Sequence, residues 1–250
     1  MLELAPLALL QPLSAQSSET TPAISASFPT QQPELVKEMV SVSHGNVNRV
    51  KELLKAQPSL AKASWDWGFG DWETSLGAAS HVGNREIATL LLEQGAPPTI
   101  FSATMLGQLE VVKAMIAASP GLQKVAGPHG IPLLTHAKMG GEGSKAVLQY
   151  LESLGDAGGP PVIAVTKEEQ TAVAGTYTFG TGPNDRIEIL TPNNQVQFKR
   201  AGSDARRLFH IGELAFYPAG ANAVRIRFDG KGALTVADPD VILRAQRLAK

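Results

Sequence analysis

Residues 83–92 read GNREIATLLL, and the same pattern recurs as GNVNRVKELL at 45–54 and as GQLEVVKAMI at 107–116. In each copy a glycine is followed eight and nine residues later by two apolar side chains, with an aliphatic residue one turn earlier. A looser copy ends in VLQYL at 147–151. Such self-similarity is typical of stacked repeats, in which each unit buries its apolar face on its neighbours. The pattern predicts a solenoid of about four short helix pairs over residues 33–154.

The first repeat shows where its two helices begin and end. Residues 34–42 fit a first helix, and residues 47–55 fit a second one that the following Gln-Pro ends. The apolar face of the second helix is predicted to contain Val50, Leu53 and Leu54. Function in such a fold depends on surfaces more than on a catalytic pocket.

Two short motifs give these repeats a family resemblance. Residues 74–79, TSLGAA, and residues 91–96, LLEQGA, resemble the T-P-L-H-x-A opening and the L-L-x-x-G-A closing of an ankyrin repeat. Residues 131–137, IPLLTHA, resemble the same opening. The resemblance implies that the threonine caps a helix, the leucine points into the core (Leu76, Leu133) and the alanine lets helices approach closely (Ala79, Ala137).

The repeats depart from a regular ankyrin array. Their glycines, Gly45, Gly83, Gly107 and Gly140, are 38, 24 and 33 residues apart, around an ankyrin period of about 33. We therefore expect degenerate repeats, the first and last acting as caps, with an enlarged loop in the first interval.

That enlarged loop, residues 64–72, reads SWDWGFGDW and holds all three tryptophans of the chain. Interfaces are enriched in tryptophan, and loops on one face of a solenoid are where such proteins bind. The candidate partner-binding residues are Trp65, Asp66, Trp67, Phe69, Asp71 and Trp72. In the alternative interpretation the tryptophans pack over the helices beneath as a small satellite core.

A second domain is predicted after a Gly/Pro linker at residues 155–165. Residues 166–169, TKEE, fit a capping box that opens a short helix. The rest of residues 166–250 alternates apolar and polar side chains between turn sequences, which predicts seven or eight antiparallel strands in a sandwich or small barrel. Its interior is expected to contain Phe179, Ile187, Ile189, Val196, Phe198, Leu208, Phe216, Ile226 and Phe228.

Residues 169–177, EQTAVAGTY, together with LF at 208–209 and VRIRF at 224–228, give this module a resemblance of its own. They resemble the small β-module appended to bacterial penicillin-binding-like serine hydrolases. The resemblance implies an accessory domain, typical of exported bacterial proteins, without chemistry of its own. A lipocalin-like barrel that carries a small ligand is the alternative, although the apolar side chains are expected to fill so small a barrel.

The composition of the chain excludes several classes of function. A net charge of −1 argues against a general nucleic-acid binder, although residues 186–250 carry eleven Lys or Arg against six Asp or Glu. The absence of cysteine excludes disulfides, thiolate catalysis and cysteine zinc sites.

The apolar run LELAPLALLQPL at 2–13 and the polar segment at 16–32 fit an export signal and its tether, and no apolar run is long enough to span a membrane. We expect a periplasmic protein; a cytoplasmic protein with an apolar tail is the alternative.

No catalytic motif accompanies these features. Residues 59–62, SLAK, match an S-x-x-K pattern by chance, since no K-T-G follows. The histidines, namely His44, His81, His129, His136 and His210, are assigned structural roles, because no two of them have metal-ligand spacing on one helix.

The sequence therefore predicts a non-catalytic adaptor that binds a protein partner, without a cofactor or metal; its oligomeric state is left open. The alternatives are a small-ligand carrier and an enzyme whose site lies between the domains. Such an enzyme would need acidic and histidine groups that converge there.

Overall fold

The computed structural model describes residues 25–161, 163–239 and 241–249. The chain divides into two units between Gln32 and Pro33. Within the first unit, residues 25–32 form turns closed by backbone hydrogen bonds, such as that from Thr30 to Ser27 at 2.8 Å. The export signal predicted at residues 1–15 lies outside the described residues. The second unit is an α+β structure.

The α-helical part of the second unit consists of helices that follow one another in four pairs. They are α1 (Pro33–Val42) and α2 (Val47–Ala56), α3 (Ser75–His81) and α4 (Arg85–Glu93), α5 (Ile100–Leu106) and α6 (Leu109–Ala118), and α7 (Leu133–Met139) and α8 (Lys145–Leu154). The helices of each pair contact each other, and α1, α3, α5 and α7 pack together in chain order. The two helices predicted for the first repeat are confirmed to within one residue at each end.

Polar side chains at the helix starts explain these bounds. The side-chain oxygens of Asn46 and Asn84 accept hydrogen bonds from backbone N–H groups one turn later, at 3.1 and 3.0 Å. Thr74 caps α3 in the same way, as predicted, through the N–H of Gly77 at 2.9 Å. The asparagine that follows the glycine in the first two copies is therefore the N-cap of the second helix.

Two of the repeat glycines are required by the backbone. Gly83 and Gly107 have φ angles of 78° and 79°, in the left-handed region that favours glycine. A Cβ at Gly83 would collide with the carbonyl oxygen of Met139, and one at Gly107 with that of Gly143. At these glycines the second helix of a pair turns back, and the fourth helix pair approaches both turns closely, with the end of α7 at Gly83 and the segment before α8 at Gly107.

The predicted inward face of the repeats is confirmed. The aliphatic side chains at the core positions of the pattern and the alanines of the openings are buried. They are Val50, Leu53, Leu54, Leu76, Ala79, Leu91, Leu133 and Ala137. They belong to two clusters, one formed mainly by α1–α4 and the other by α5–α8.

A closed antiparallel barrel follows, in the order β10-β3-β4-β5-β6-β7-β8-β9. Its strands are β3 (Gly175–Thr178), β4 (Arg186–Leu190), β5 (Val196–Arg200), β6 (Arg206–Gly212), β7 (Ala215–Pro218), β8 (Arg225–Phe228), β9 (Ala233–Asp238) and β10 (Val241–Arg247). The barrel is closed by the pairing of β10 with β3, in which Gln246 lies opposite Thr178. The eight-strand meander is confirmed, in its barrel form.

The capping box predicted before the barrel is confirmed. Thr166 and Glu169 exchange side-chain hydrogen bonds at 2.8 and 3.1 Å at the start of α9 (Lys167–Val173).

The barrel interior matches the sequence prediction with one exception. Of the nine residues expected inside, all but Phe179 are buried; that ring is half-buried with the guanidinium of Arg200 above it, 4.8 Å from its centre. Tyr177, which the alternation did not single out, is fully buried and donates its hydroxyl to the carbonyl of Val173 at 2.8 Å.

The Gly/Pro segment is packed against its neighbours on both sides. Ala157 is buried, and its carbonyl accepts a hydrogen bond from the backbone of Leu134 at 3.2 Å. Ile163 forms an isolated β-bridge with His210 of β6. The division into two domains therefore stays a prediction. Within the described residues, every helix falls short of the length and apolarity needed to cross a membrane.

Candidate metal centre

The tryptophan loop forms a short hairpin, β1 (Ser64–Asp66) paired with β2 (Trp72–Thr74). Side chains alternate along β2, so that Trp72 and Thr74 are exposed while the residue between them, Glu73, is fully buried. The side chain of Trp72 is 62% exposed. The hairpin thus directs a tryptophan outwards and a carboxylate inwards from adjacent positions.

The other residues predicted to bind a partner point in different directions. Trp65 and Trp67 are half-buried on the helical core, as the packing alternative expected. Phe69 packs on Phe198 of the barrel, with ring centres 5.5 Å apart. Asp66 accepts a hydrogen bond from the backbone of Gly68 at 2.7 Å. The six candidate residues therefore do not form one surface.

Asp71, another of the candidate partner-binding residues, is 2% exposed. Its carboxylate accepts hydrogen bonds from the backbone N–H of His129 at 2.9 Å and from Arg206 of β6 at 3.0 Å. The backbone of Gly220, in the loop after β7, also approaches so closely that a Cβ there would overlap the carboxylate. Asp71 thus joins the hairpin to the barrel.

Three histidines from separate segments surround Glu73. His44 lies between α1 and α2, His81 is the last residue of α3, and His129 lies in the turn before α7 with a left-handed φ of 59°. The Nε2 atom of His81 is 2.8 Å from the Glu73 carboxylate, that of His129 is 3.3 Å away and that of His44 is 3.6 Å away. The Nε2 atoms of His44 and His81 are 3.1 Å apart.

These four contacts have the dimensions of a metal site. Zinc binds imidazole nitrogen and carboxylate oxygen at about 2.0–2.2 Å, which places neighbouring ligands of a tetrahedral site about 3.4 Å apart. The ligand atoms of the four residues all lie within 4.8 Å of one another. Modest side-chain adjustment would therefore bring all four onto one ion.

Hydrogen bonds fix the orientation of two of the rings. The Nδ1 atom of His44 lies 3.0 Å from the carbonyl oxygen of Ser41, and that of His129 lies 2.8 Å from the carboxylate of Asp71. Each Nδ1–H donates to its oxygen, so in the neutral ring the lone pair is on Nε2, facing the cluster. On Glu73, the indole of Trp67 donates to the carboxylate at 2.7 Å.

The charges of the cluster stabilise one another. Burial alone would raise the pKa of Glu73, but hydrogen bonds from His129 and His81 and the nearby histidine charges hold it at about 2. Burial would lower the pKa of His129, but hydrogen bonds to Asp71 and Glu73 raise it to about 9. Metal binding at neutral pH must therefore displace a proton from His129.

A cavity of about 1040 Å³ opens beside the cluster. Trp65 and Trp67 line it from the helical part, and Phe209 and Tyr217 line it from the barrel. His44 and His129 also face it, and about a third of each side chain is exposed (32% and 31%). The cluster is thus accessible to a small molecule from one side.

The two remaining histidines lie elsewhere and fit structural roles. His136 is buried in α7, where its Nδ1 atom lies 3.1 Å from the carbonyl of Pro132, and burial lowers its pKa to about 4. His210 stacks on Phe216 inside the barrel, with ring centres 4.9 Å apart.

Sequence reasoning missed the cluster because it searched for ligand pairs on one helix. The expectation about helical spacing holds, but each ligand comes from a different segment. The available signal was the alternation in β2, which buries a carboxylate between two exposed residues. The chain matches none of the protein-family models and none of the curated proteins with which it was compared.

The raised pKa of His129 predicts how stability depends on pH in the metal-free protein. The protonated ring is bound more tightly in the folded state, so its contribution is complete below pH 6.5 and is lost as pH rises through about 9. We expect the free energy of unfolding to fall by on the order of 2 kcal/mol across this window, since part of the ring is open to solvent. Urea titrations in EDTA would measure it.

Across this window the ionisation of Glu73 and His136 is unchanged in the folded protein, because their pKa values are about 2 and about 4. His129→Gln is the control, and it should flatten the alkaline decline. An equal decline in this variant would show that other groups cause it.

Proposed function

We propose that this protein binds a divalent transition-metal ion through His44, Glu73, His81 and His129 and uses it on a small ligand in the adjoining cavity. The convergence of three imidazole Nε2 atoms on one buried carboxylate supports the proposal. It corresponds to the alternative of an enzyme whose site lies between the helices and the barrel.

The chemistry of the ligand atoms narrows the choice of metal. Three imidazoles and one carboxylate suit zinc and the neighbouring first-row ions, such as Fe²⁺, Co²⁺ and Ni²⁺. Calcium and magnesium prefer oxygen ligands, of which this cluster provides a single carboxylate. A chain without cysteine must rely on such nitrogen and oxygen ligands.

The cavity suggests a site where ligands exchange. A structural zinc site is closed on all sides, whereas a catalytic one keeps a position open. The exposed third of the His44 and His129 side chains faces the cavity, so this is the side on which a position would stay open. A metal ion held there would supply Lewis-acid chemistry towards an oxygen or nitrogen group of the bound ligand.

The cavity walls suit a ligand with an apolar body. Trp65 and Trp67 on one side and Phe209 and Tyr217 on the other offer aromatic surfaces, and Lys37 lies 5.7 Å from the ring centre of Trp65. Pockets with apolar walls and a few polar groups are the usual form of small-molecule sites.

Metal binding by the purified full-length chain tests the proposal. We expect one Zn²⁺ or Co²⁺ per chain after dialysis, measured by mass spectrometry of the metal. His44→Ala should weaken the affinity by roughly 100-fold or more, since loss of a direct ligand should exceed the 10–100-fold effect of an outer-shell change. Because the His44 side chain is 32% exposed, this variant should still fold.

Glu73→Gln removes the charge of the cluster at nearly constant shape and should have a similar effect. Glu93→Gln is its matched control, since Glu93 is exposed at the end of α4. Equal metal binding in wild type, His44→Ala and Glu73→Gln would contradict the proposal.

Binding of a protein partner by the hairpin is a second candidate function, favoured by one observation. Trp72 exposes 62% of its surface beside the fully buried Glu73, and exposed tryptophans are frequent anchors of interfaces. A non-catalytic adaptor that presents this residue would match the first expectation from the sequence.

Trp72→Ala separates this candidate from a packing role. We expect an unchanged midpoint of thermal unfolding, because exposed positions usually contribute less than about 0.5 kcal/mol. Capture of a partner from cells of the source organism should be lost if the candidate is right. Capture of the same protein by wild type and Trp72→Ala would exclude the tryptophan as the anchor.

We propose that residues 33–154 form degenerate ankyrin-like repeats, which the four helix pairs and the buried repeat positions support. We also propose that residues 166–250 form an appended β-module of an exported protein. The sequence resemblances described above support both.

A further inference from the structure

Arg206 of the barrel is connected to the proposed metal ligands through hydrogen bonds. Its side chain is 12% exposed, and its guanidinium donates four hydrogen bonds to the hairpin and the barrel. Two of them lead, through one further residue each, to a proposed ligand.

The first connection runs to His129. Arg206 Nη1 is 3.0 Å from the Asp71 carboxylate, which accepts from both the backbone and the Nδ1 atom of His129. A carboxylate in this position orients a metal-binding imidazole and raises its basicity. The left-handed φ of His129, 59°, is held in place by the same two hydrogen bonds.

The second connection runs to Glu73. Arg206 Nη2 donates to the backbone carbonyl of Trp67 at 2.6 Å, and Nη1 donates to that of Gly68 at 3.0 Å. The indole of Trp67 then donates to the Glu73 carboxylate at 2.7 Å. One arginine of the barrel thereby supports the positions of two of the four ligands.

We propose that the barrel completes the metal centre, with Arg206 and Asp71 acting as positioning residues, so that metal binding and the docking of the barrel onto the hairpin reinforce each other. This inference rests on the proposed metal site. Coupling between two binding equilibria is reciprocal. If the docked barrel raises the affinity for the metal by a given factor, the bound metal raises the equilibrium constant for docking by the same factor.

Metal affinity of full-length variants tests the inference. Asp71→Asn and Arg206→Gln should each weaken the binding of Co²⁺ by about 10–100-fold, the usual effect of losing an outer-shell partner. The absorption bands of bound Co²⁺ should also shift, because the ring of His129 is reoriented. A change in stability alone would leave those bands unchanged.

Arg207→Gln is the matched control. Arg207 is the next residue of β6, and its guanidinium lies over Phe209, 4.7 Å from the ring centre. The Arg207→Gln variant should bind Co²⁺ with the affinity of the wild type. The losses of affinity in Asp71→Asn and Arg206→Gln should add up to more than the loss in the double variant, since the two residues share one contact towards His129 while Arg206 alone supports Glu73.

If Arg206→Gln fails to fold, Asp71→Asn and Trp67→Phe carry the test, since Asp71→Asn keeps the shape of the side chain and Trp67→Phe keeps an aromatic ring while removing the N–H that donates to Glu73. Wild-type affinity in these variants, together with weak binding in His44→Ala, would overturn the positioning role and leave the metal site standing. Wild-type affinity in His44→Ala as well would overturn both proposals.

The effect of the metal on docking of the barrel can be measured in the same proteins by hydrogen exchange. Bound Co²⁺ should slow hydrogen exchange of backbone amides at residues 66–72 and 204–208 in the wild type. The slowing should be lost in Arg206→Gln and kept in Arg207→Gln. Equal protection in all three would contradict the coupling of metal binding to docking.

Discussion

The buried carboxylates of the hairpin set the constraint on which much of this structure depends. An ionised group out of contact with water is costly unless charged or hydrogen-bonding partners surround it. Glu73 meets this requirement with histidines and the indole of Trp67, and Asp71 meets it with His129 and Arg206. Satisfying two carboxylates of one short hairpin therefore brings the segment after α1, the end of α3, the turn before α7 and strand β6 together.

The same constraint explains why the helices and the barrel form one compact unit. The Gly/Pro composition of the connecting segment suggests independent domains, and the chain does change from helices to strands there. However, Arg206 and the backbone of Gly220 both reach Asp71 of the hairpin. Without the barrel, Asp71 would lose a charged partner and remain beside an equally buried Glu73.

Local structure was largely predictable because its signals lie within a few residues. The repeated glycines, the Thr74 cap and the alternating apolar residues of the barrel each act through neighbours in sequence. The predicted number of strands therefore agrees with the observed barrel, and Leu76 and Leu133 are buried as expected. Phe179 is the exception, because it lies just beyond the end of β3, where alternation no longer decides burial.

The cluster could not be predicted in this way, since its members come from segments that only the packed fold brings together. From His44 to His129 the chain passes through two complete helix pairs. The tryptophans and acidic residues of the loop lie side by side in the sequence, which predicts one partner-binding surface. Strand alternation instead separates them, turning Trp72 to solvent and Glu73 towards the histidines. A buried carboxylate among three imidazoles then supports a metal centre better than it supports a purely adhesive surface.

The most direct test of this account is the X-ray absorption spectrum of the full-length protein loaded with one equivalent of Zn²⁺. We expect a first shell of nitrogen and oxygen at about 2.0–2.1 Å, with the outer-shell scattering of imidazole rings. Three imidazoles should fit the wild-type spectrum and two the spectrum of His81→Ala. A spectrum of zinc surrounded by water oxygens alone, or one that His81→Ala leaves unchanged, would contradict the proposed centre.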